Sequence, residues 1–449
     1  MVNPYPEYKV SGIEWVGEIP ITWQISKLKF ITNKIIDGTH KTPEYVDKGI
    51  PFLRVTDLQN KEIDLNKCKY ISTINHDLLT RRNKPDKGDL LLSKNGTIGI
   101  TKIVDWDFPF SFFVSICLIR FKLGIIKPEY LGYMFQSNLV SVQIFESTKT
   151  TSVTNLHLDE INELSTIIPP ISEQISIINY LDPRTRDMDD LIANEEMVIG
   201  FLKERRTAII NHAVIQGIDS HIKMKDSGIP WLGKIPIHWE IKKIRHFAEV
   251  NPTIKNADLH ENDEGLVTFL PMENVFVDGT SNKDLKRKIK EIFTGFTYIE
   301  RDDVIIAKIT PCFENGKGAL LNNLDCGFAF GSTEFHVLRA IDNFCRPKFL
   351  YYITRTDVFL KYGEAYMIGA AGQKRVPAEF IKNFTIGLPT LSEQDNIIAF
   401  IEKKLYNIDQ SINWRLELID FLKESRKTLI SDAAIGKIDV RHARINVGA

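Results

Sequence analysis

Two segments of this chain each occur twice, with nearly constant spacing between the copies. Residues 11–30 read SGIEWVGEIPITWQISKLKF and residues 227–246 read SGIPWLGKIPIHWEIKKIRH, so that 11 of 20 positions are identical. A second pair of motifs, Ser-Glu-Gln and then Phe-Leu-Lys-Glu, begins at Ser172 and recurs from Ser392. The stretches between the copies resemble each other far less. A duplicated frame around two dissimilar inserts predicts two similar domains that act on two different targets.

Each Ser-Glu-Gln motif opens a segment in which apolar residues recur in alternating steps of three and four. This is the a/d pattern of a coiled coil. We expect Ser172 and Ser392 to be the helix N-caps, and Gly217 and Gly436 to lie near the helix ends. A helix of about 42 residues is roughly 60 Å long, more than a globular core needs, so each segment predicts a spacer. The seam positions are Ile178, Leu181, Thr185, Met188, Ile192, Glu195, Ile199, Leu202, Arg206, Ile209 and Ala213 in the first copy, and Ile398, Ile401, Leu405, Ile408, Ile412, Arg415, Ile419, Leu422, Arg426, Leu429 and Ala433 in the second.

Two long helices in one chain, with a domain after the first, are expected to pack antiparallel about a pseudo-twofold axis. Glu195 and Arg415 occupy equivalent seam positions near the middle of that pair. We predict that they approach each other and fix the register of the coiled coil, as a polar residue at a core position can. The alternative is that both side chains extend to solvent.

The regions between the copies contain short β-branched and aromatic runs bounded by Gly, Asn, Asp and Pro, together with a helical patch in each. The predicted fold class is therefore α+β. It comprises two globular domains of twisted, mainly antiparallel sheet with helices, joined by two long antiparallel coiled-coil helices with internal pseudo-twofold symmetry. The predicted segments are a first domain at 1–170, a first spacer helix at 171–217, a second domain at 218–388, a second spacer helix at 389–440 and a tail at 441–449.

The bulk composition excludes several classes of protein. A chain of 449 residues with 43% hydrophobic content is typical of globular domains with cores of their own. No run of eighteen apolar residues and no signal-peptide pattern occurs, so we expect no membrane partner. The five cysteines are scattered without a CxxC pair, which fits a reducing cytoplasm and argues against a zinc site. The net charge of −1 gives no indication of a polyanionic partner.

The motifs that usually carry chemistry are missing from the sequence. It contains no GxxxxGK[ST] phosphate loop, no GxGxxG after a strand and no Asn or Asp followed by Pro-Pro and an aromatic residue. The ten histidines are dispersed, without HExxH or HxH spacing. The sequence therefore predicts no catalytic residue, no metal site and no cofactor bound by this chain.

The duplicated frame resembles the specificity subunits of Type I restriction–modification systems. The resemblance lies in the GxIPxxW segments at 17–23 and 233–239, in the Ser-Glu-Gln start of each heptad helix, and in their order along essentially the whole chain. Within the first domain, residues 37–43 and 49–54 resemble the opening of the family's recognition domain, and residues 307–317 and 331–335 do likewise in the second domain.

This resemblance implies a subunit that is not itself an enzyme and that reads double-stranded DNA. Each domain would recognise one half of an asymmetric bipartite site, and the helices would set the gap between the halves. The implied partners are two modification subunits that carry S-adenosylmethionine and methylate adenine N6. Two restriction subunits that use ATP and magnesium can join this complex. The outward helix faces and the tryptophans of the frame are candidate docking surfaces, although core packing is the alternative for Trp15, Trp23, Trp231 and Trp239.

Base-edge recognition needs loop side chains that reach the major groove, with Arg or Lys directed toward guanine and Asn or Gln toward adenine. Glycines let such loops approach phosphates, and hydroxyl groups suit phosphate contacts. The alternative is that each of these loops is an ordinary solvated loop. The candidate DNA-binding residues are Thr39, His40, Lys41, Lys94, Asn95, Thr97, Lys149 and Thr151 in the first domain, and Lys308, Thr310, Asn315, Lys317, Gln373, Lys374 and Arg375 in the second.

Two other functions agree with the same sequence features. The chain could be the specificity module of an orphan or fused methylation system, which differs from a full restriction system only in its partners. It could also be a coiled-coil adaptor whose two domains bind proteins. The adaptor hypothesis predicts no DNA affinity in any complex and no methylation pattern in the host.

Overall fold

A computed structural model describes residues 3–14, 16–59, 62–81, 84–122, 124–137, 139–140, 142–144, 155–254, 260–370 and 372–443. The chain divides into two compact units, which we call unit 1 (residues 1–195 and 416–449) and unit 2 (residues 196–415). Each unit contains one run of sheets and part of each long helix. Trp15, Lys149 and Thr151 lie outside the described residues.

Unit 1 builds its sheets from short strands. Two sheets have four strands, in the orders β4-β11-β8-β9 and β10-β6-β7-β5, and two are pairs, β1-β2 and β3-β12. The strands are β1 Tyr8–Val10, β2 Glu18–Pro20, β3 Gln24–Lys27, β4 Thr32–Asp37, β5 Tyr45–Val46, β6 Ile50–Leu53, β7 Lys69–Ile71, β8 Leu90–Ser93, β9 Thr101–Ile103, β10 Ser111–Phe112, β11 Ile116–Phe121 and β12 Ser165–Ile168. The short helices are α1 Leu28–Ile31, α2 Val55–Leu58, α3 Thr73–Thr80, α4 Pro128–Gln136 and α5 Leu158–Glu163.

Unit 2 repeats this plan. Its four-stranded sheets have the orders β16-β23-β20-β21 and β18-β17-β22-β19, and its pairs are β13-β14 and β15-β24. The strands are β13 Met224–Asp226, β14 Lys234–Pro236, β15 Glu240–Lys243, β16 Ala248–Val250, β17 Leu266–Leu270, β18 Lys286–Lys288, β19 Thr297–Glu300, β20 Val304–Ala307, β21 Gly318–Leu320, β22 Phe328–Gly331, β23 Phe335–Ala340 and β24 Thr385–Leu388. The short helices are α7 Ile289–Ile292, α8 Pro347–Thr354, α9 Asp357–Ala365 and α10 Ala378–Asn383, with 3₁₀ turns at Ile244–His246 and Met272–Asn274.

The two units have the same central sheet and differ at the edges of the second sheet. That second sheet contains one parallel pair in each unit, β6–β10 in unit 1 and β17–β22 in unit 2. Unit 1 then adds β5 beside β7, whereas unit 2 adds β19 beside β22. All other strand pairs in these sheets are antiparallel. The predicted α+β class with mainly antiparallel sheet is confirmed.

The central strands are buried on both faces, because helices or the second sheet cover them. Strand β8 reads LLLS and β20 reads VIIA, and all eight residues are buried. An ion pair closes the turn before each of these strands. Asp89 accepts two hydrogen bonds from Arg120, and Asp303 accepts two from Arg339, all between 2.7 and 2.8 Å. Two-point pairing of this kind offsets the cost of burying each carboxylate.

The two long helices are α6, Ile171–Gln216, and α11, Leu391–Ala434. Every described seam position in both is buried or half-buried, as the heptad pattern predicts. The prediction that Ser172 and Ser392 are N-caps is wrong. Helix α11 begins one residue after Thr390, whose hydroxyl accepts the Glu393 amide and whose own amide donates to the Glu393 carboxylate. This capping box places Ser392 inside the first turn.

Within each unit, the two helix segments run antiparallel, and an ion pair joins them. In unit 1, Asp189 pairs with Arg426 at 2.8 Å. In unit 2, Arg206 pairs with Asp409 at 3.3 Å. The core of unit 1 also holds residues from the start of α6 and the end of α11, and the core of unit 2 holds residues from the end of α6 and the start of α11. Glu195 ends one segment of unit 1 and Arg415 ends unit 2, so their contact stays a prediction.

The repeated glutamine of the Ser-Glu-Gln motif fastens each helix to its domain. Gln174 is fully buried; its side chain accepts the Lys127 amide at 2.8 Å and donates to two carbonyl groups. Gln394 makes the same three bonds, beginning with the Arg346 amide at 2.8 Å. Because one side chain satisfies three backbone groups where strand, loop and helix meet, these glutamines hold the start of each helix at a defined place.

Candidate nucleic-acid interface

Two equivalent lysines leave the central sheets at the same backbone position. The Lys94 amide donates to the Ser115 carbonyl, and the Lys308 amide donates to the Glu334 carbonyl, both at 2.9 Å. The carbonyl of Lys94 accepts the Leu156 amide at 2.9 Å, and that of Lys308 accepts the Val376 amide at 2.8 Å. In each unit the end of a buried strand therefore meets a segment far along the chain.

The two lysines have different surroundings. Lys94 is buried, and its ammonium group lies 3.0 Å from the Asp37 carboxylate. Lys308 is half-buried, and no ion pair holds it within the part of the chain that the structure describes. Lys94 is thus engaged in an internal contact, whereas the ammonium group of Lys308 is available to a ligand.

The other candidates of unit 1 surround Asp37 or follow Lys94. Thr39 lies just after β4, where its hydroxyl accepts the Lys41 amide at 3.3 Å. His40 is exposed, with its ring nitrogen 3.7 Å from Asp37. Thr97 is exposed in the turn after Lys94, and its carbonyl accepts the Ser93 hydroxyl at 2.7 Å.

Asn95 forms an isolated bridge with Asn155, so the structure pairs a predicted residue with one that the sequence analysis did not select. The side-chain oxygen of each asparagine is buried, and neither has a hydrogen-bond partner among the residues that the structure describes. Asn155 lies 220 positions before Arg375, the same spacing as the two Ser-Glu-Gln motifs, and this spacing is the signal that could have identified it.

In unit 2 the structure brings together two segments that hold most of the candidates, and a third segment at Ile368 pairs with one of them. The Thr310 amide donates to the Lys374 carbonyl at 3.0 Å, and Ile309 bridges Arg375. Arg375 also exchanges backbone hydrogen bonds of 2.9 and 3.0 Å with Ile368. Gln373, Lys374 and Arg375 are exposed along this edge.

Two candidates of unit 2 lie in the turn between β20 and β21. Lys317 donates its ammonium group to the Met272 carbonyl at 3.0 Å, which directs this side chain toward the second sheet. Asn315 is exposed, and its amide donates to the Pro311 carbonyl. Lys317 therefore has a structural contact of its own.

Glu334 and His336 are functional candidates that sequence reasoning did not select. Glu334 accepts two hydrogen bonds from the Arg375 guanidinium group, at 2.9 and 2.8 Å, and this contact lowers the pKa of Glu334. The Nε2 atom of His336 lies 2.8 Å from the Val376 carbonyl oxygen, and its Nδ1 atom lies 3.0 Å from the side-chain amide nitrogen of Asn251. Glu334 stands in the motif at residues 331–335, but nothing in the sequence shows that it faces a residue 41 positions later.

The tryptophans of the frame serve core packing where the structure describes them. Trp23 and Trp239 are buried in the cores of their units. Trp231 is half-buried against Tyr362, with ring centroids 4.7 Å apart. Exposed aromatic side chains lie on the long helices instead, and Phe201 and Phe421 are equivalent members of the repeated Phe-Leu-Lys-Glu motif.

Two further properties bear on the kind of site. Among the described residues, no cluster of three or more His, Cys, Asp and Glu could hold a metal ion. None of the described helices is both long and apolar enough to span a bilayer.

Comparison with known proteins identifies the family. The family model for the Type I restriction modification DNA specificity domain matches residues 20–199 and 236–418. This chain belongs to that family. Both matches run from a frame segment into a long helix, so the Type I specificity family accounts for the duplication. The fold agrees as well: a chain from a structure solved for complex assembly and conformational transition of the type I R-M system has a TM-score of 0.67 at 14% identity, covering 93% of this chain and 99% of that one.

Two Type I relatives show how the similarity is distributed. The Type I restriction enzyme EcoAI specificity subunit of Escherichia coli is 37% identical over 199 residues, which are 44% of this chain and 33% of that protein. The putative type I restriction enzyme MjaX specificity subunit of Methanocaldococcus jannaschii is 24% identical over 442 residues, covering 95% of this chain and 96% of that protein. The alignment with EcoAI thus spans a third of that relative's length, whereas the alignment with MjaX spans both repeats.

Proposed function

We propose that this chain is the sequence-specific DNA-recognition subunit of a Type I restriction–modification complex. Each recognition domain, at 1–170 and 218–388, reads one half of an asymmetric bipartite site in the major groove. The helices act as a spacer and as the docking surface for two modification subunits. The chain itself has no catalytic role and binds no cofactor; S-adenosylmethionine, ATP and magnesium belong to the modification and restriction subunits.

One observation carries this proposal: equivalent backbone positions in the two units bear unlike side chains. The bridge that joins Asn95 to Asn155 in unit 1 joins Ile309 to Arg375 in unit 2. Base edges are distinguished by side-chain donors and acceptors, so a common backbone with different side chains suits two half-sites of different sequence. Identical modules would instead require identical half-sites.

The repeated aromatic side chains of the helices support docking of two copies of one partner. Phe201 and Phe421 are 61% and 64% exposed, whereas the seam residues beside them are buried or half-buried. Large exposed aromatic residues are enriched at protein interfaces. Their equivalent positions fit two identical modification subunits.

The nearly neutral charge of the chain agrees with this assembly. Phosphate neutralisation supplies much of the affinity of DNA-binding proteins. A chain of net charge −1 contributes little of it, so the modification subunits would supply most. We expect weak, salt-sensitive DNA binding by the chain alone and much tighter specific binding by the complex.

The decisive experiment is methylome sequencing of cells that express this chain together with its modification subunit. A bipartite N6-methyladenine motif that vanishes when this chain is omitted would support the proposal. The absence of any new motif, with both proteins present as a complex, would contradict it and favour a protein-binding adaptor. Cleavage of unmodified DNA after addition of the restriction subunit distinguishes a full restriction system from an orphan methylation system.

The spacer role has its own test. Four residues, about one helical turn, are inserted at equivalent positions of α6 and α11. We expect both half-sites of the methylation motif to stay the same while the gap between them lengthens. An unchanged gap in an active complex would refute the spacer role and leave base recognition untouched.

A further inference from the structure

We propose that Arg375 reads a guanine in the half-site of unit 2 and that Glu334 is the positioning residue that orients its guanidinium group. This inference rests on the proposed DNA-recognition function and deepens it. It concerns one base pair of the target and the edge of the Arg375 guanidinium group that does not contact Glu334.

Two hydrogen bonds to Glu334 orient the Arg375 side chain. Its Nε donates to Glu334 Oε2 at 2.9 Å, and its Nη2 donates to Glu334 Oε1 at 2.8 Å. The carboxylate therefore occupies one edge of the planar fork. The opposite edge, with one N–H on Nη1 and one on Nη2, points away from Glu334. Two parallel donors on that edge match the O6 and N7 acceptors of guanine in the major groove.

Hydrogen bonds to neighbouring segments also hold the backbone at Arg375 in place. Arg375 exchanges two backbone hydrogen bonds with Ile368. The residues before and after it bond to Thr310 and Lys308, at 3.0 and 2.8 Å. Because two other segments hold the backbone around Arg375, forming a base contact requires little ordering of the backbone.

Glu334 is itself held in place by backbone hydrogen bonds. Its carbonyl accepts the Lys308 amide at 2.9 Å, and its amide donates to the Ser332 hydroxyl at 3.2 Å. Its side chain is 26% exposed, against 45% for Arg375. The carboxylate thus sits deeper than the guanidinium group, which is the order that a supporting residue and a reading residue require.

Unit 1 provides an internal contrast. The position equivalent to Arg375 is Asn155, which has no guanidinium group and no two-donor edge for guanine. Asparagine pairs with adenine when it reads a base. The effect of changing Arg375 should therefore be confined to one half of the bipartite site.

The test uses methylome sequencing of cells that carry the whole complex with a variant chain. We expect Arg375→Ala and Arg375→Lys to relax one G·C position of one half-site by about 5- to 150-fold, the usual value of one bidentate base contact. Glu334→Gln should relax the same position and no other, whereas a merely structural role would lower methylation at every position. Arg346→Ala is the matched control, because it removes a similarly exposed arginine that forms a two-point pair with Asp395, and it should leave the motif unchanged.

A binding experiment with the purified complex tests the contact at the level of atoms. In target duplexes, 7-deazaguanine replaces guanine at the affected position and removes the N7 acceptor. We expect this replacement to weaken binding by the wild-type complex and to have no effect on the Arg375→Ala complex. Equal weakening of both complexes would overturn the assignment.

The remaining outcomes separate this inference from the function on which it rests. Full selectivity in the Arg375→Lys variant would mean that the side chain contacts a phosphate, because lysine keeps the charge without the fork. An unaltered motif in Arg375→Ala would overturn the guanine contact and leave DNA recognition by the chain intact. If the wild-type complex produces no motif, the proposed function itself fails.

Discussion

The indole N–H of Trp23 donates a hydrogen bond of 2.9 Å to the carboxylate of Glu173, and both residues are buried. This bond joins the two repeated motifs of the chain, the GxIPxxW segment and the Ser-Glu-Gln helix start. The second copy repeats it, with Trp239 donating to Glu393 at 3.3 Å. The duplicated segments are thus two sides of one joint between a domain and a long helix.

The joint of unit 1 should be the more sensitive one to loss of the indole donor. Trp23→Phe leaves the buried Glu173 without that bond and should lower the free energy of unfolding by about 1.5–3 kcal/mol, the usual contribution of a hydrogen bond to a charged group. Trp239→Phe should cost less, because His238 and Thr390 also donate to Glu393. Urea unfolding of the two variants measures the difference. Equal losses would show that ring volume, and not the indole N–H, accounts for both effects.

The two equivalent lysines should respond differently to removal. Lys308→Ala should weaken DNA binding by the complex and reduce the slope of log affinity against log salt by about 1, because one ammonium contact is lost. Lys94→Ala should instead destabilise unit 1, because it leaves the half-buried Asp37 without its main cation. Binding titrations at several salt concentrations, with thermal unfolding of the same variants, test this pair. A salt slope reduced by Lys94→Ala at unchanged stability would contradict the assignment.

Stability of unit 2 should decline as the pH falls below about 6.5, the ordinary pKa of histidine. Burial lowers the pKa of His336 in the folded chain, and nearby Lys308 lowers it further, while the bond to Val376 and the charge of Glu334 oppose them. The unfolded chain therefore takes up this proton at a higher pH than the folded chain does, so the contribution is complete above about 6.5 and is lost at lower pH.

The measurement is the free energy of unfolding between about pH 7.5 and pH 5, for wild type and for His336→Gln. The variant should show a shallower decline, because it has no imidazole to protonate. The described residues also include His76 in unit 1, whose pKa is lowered by burial, so His76→Gln serves as a separate control. An identical decline in wild type and His336→Gln would exclude His336 as a source.

The glycines that follow the long helices offer a matched pair of substitutions. Gly217 and Gly436 have φ angles of +79° and +78°, which an L-residue adopts at a cost of about 1–2 kcal/mol. A Cβ on Gly436 would also lie 2.5 Å from Pro20 and 2.9 Å from Trp23, whereas one on Gly217 would meet Trp239 at 3.4 Å. Gly436→Ala should therefore lower the melting temperature more than Gly217→Ala. Thermal unfolding followed by circular dichroism checks the order.

The parts of the fold that depend on local pattern could be predicted from the sequence. The duplication and the heptad seam can be recognised from residue spacings, because residues three and four positions apart lie on one face of a helix. The same rules were less reliable at the helix starts, where Thr390 and not Ser392 forms the cap. Local propensity also disfavours a helix at Pro183, which lies inside α6, although the heptad pattern correctly predicted a helix through it. A proline there costs about 3 kcal/mol, and the helix continues through it because packing of the seam stabilises it.

The sequence by itself determined the family, the two-domain plan and the loops that hold the candidate residues. Only the tertiary structure decided which of those residues are available to a ligand. Lys94 and Lys308 look the same in the sequence, yet Asp37 pairs with Lys94, whereas no described carboxylate lies within ion-pair distance of Lys308. Likewise, the orientation of the Arg375 guanidinium group depends on Glu334, which accepts two hydrogen bonds from it. Such contacts join residues that are far apart in the chain. Whether a charged side chain is buried and paired therefore depends on the tertiary structure and not on the local sequence.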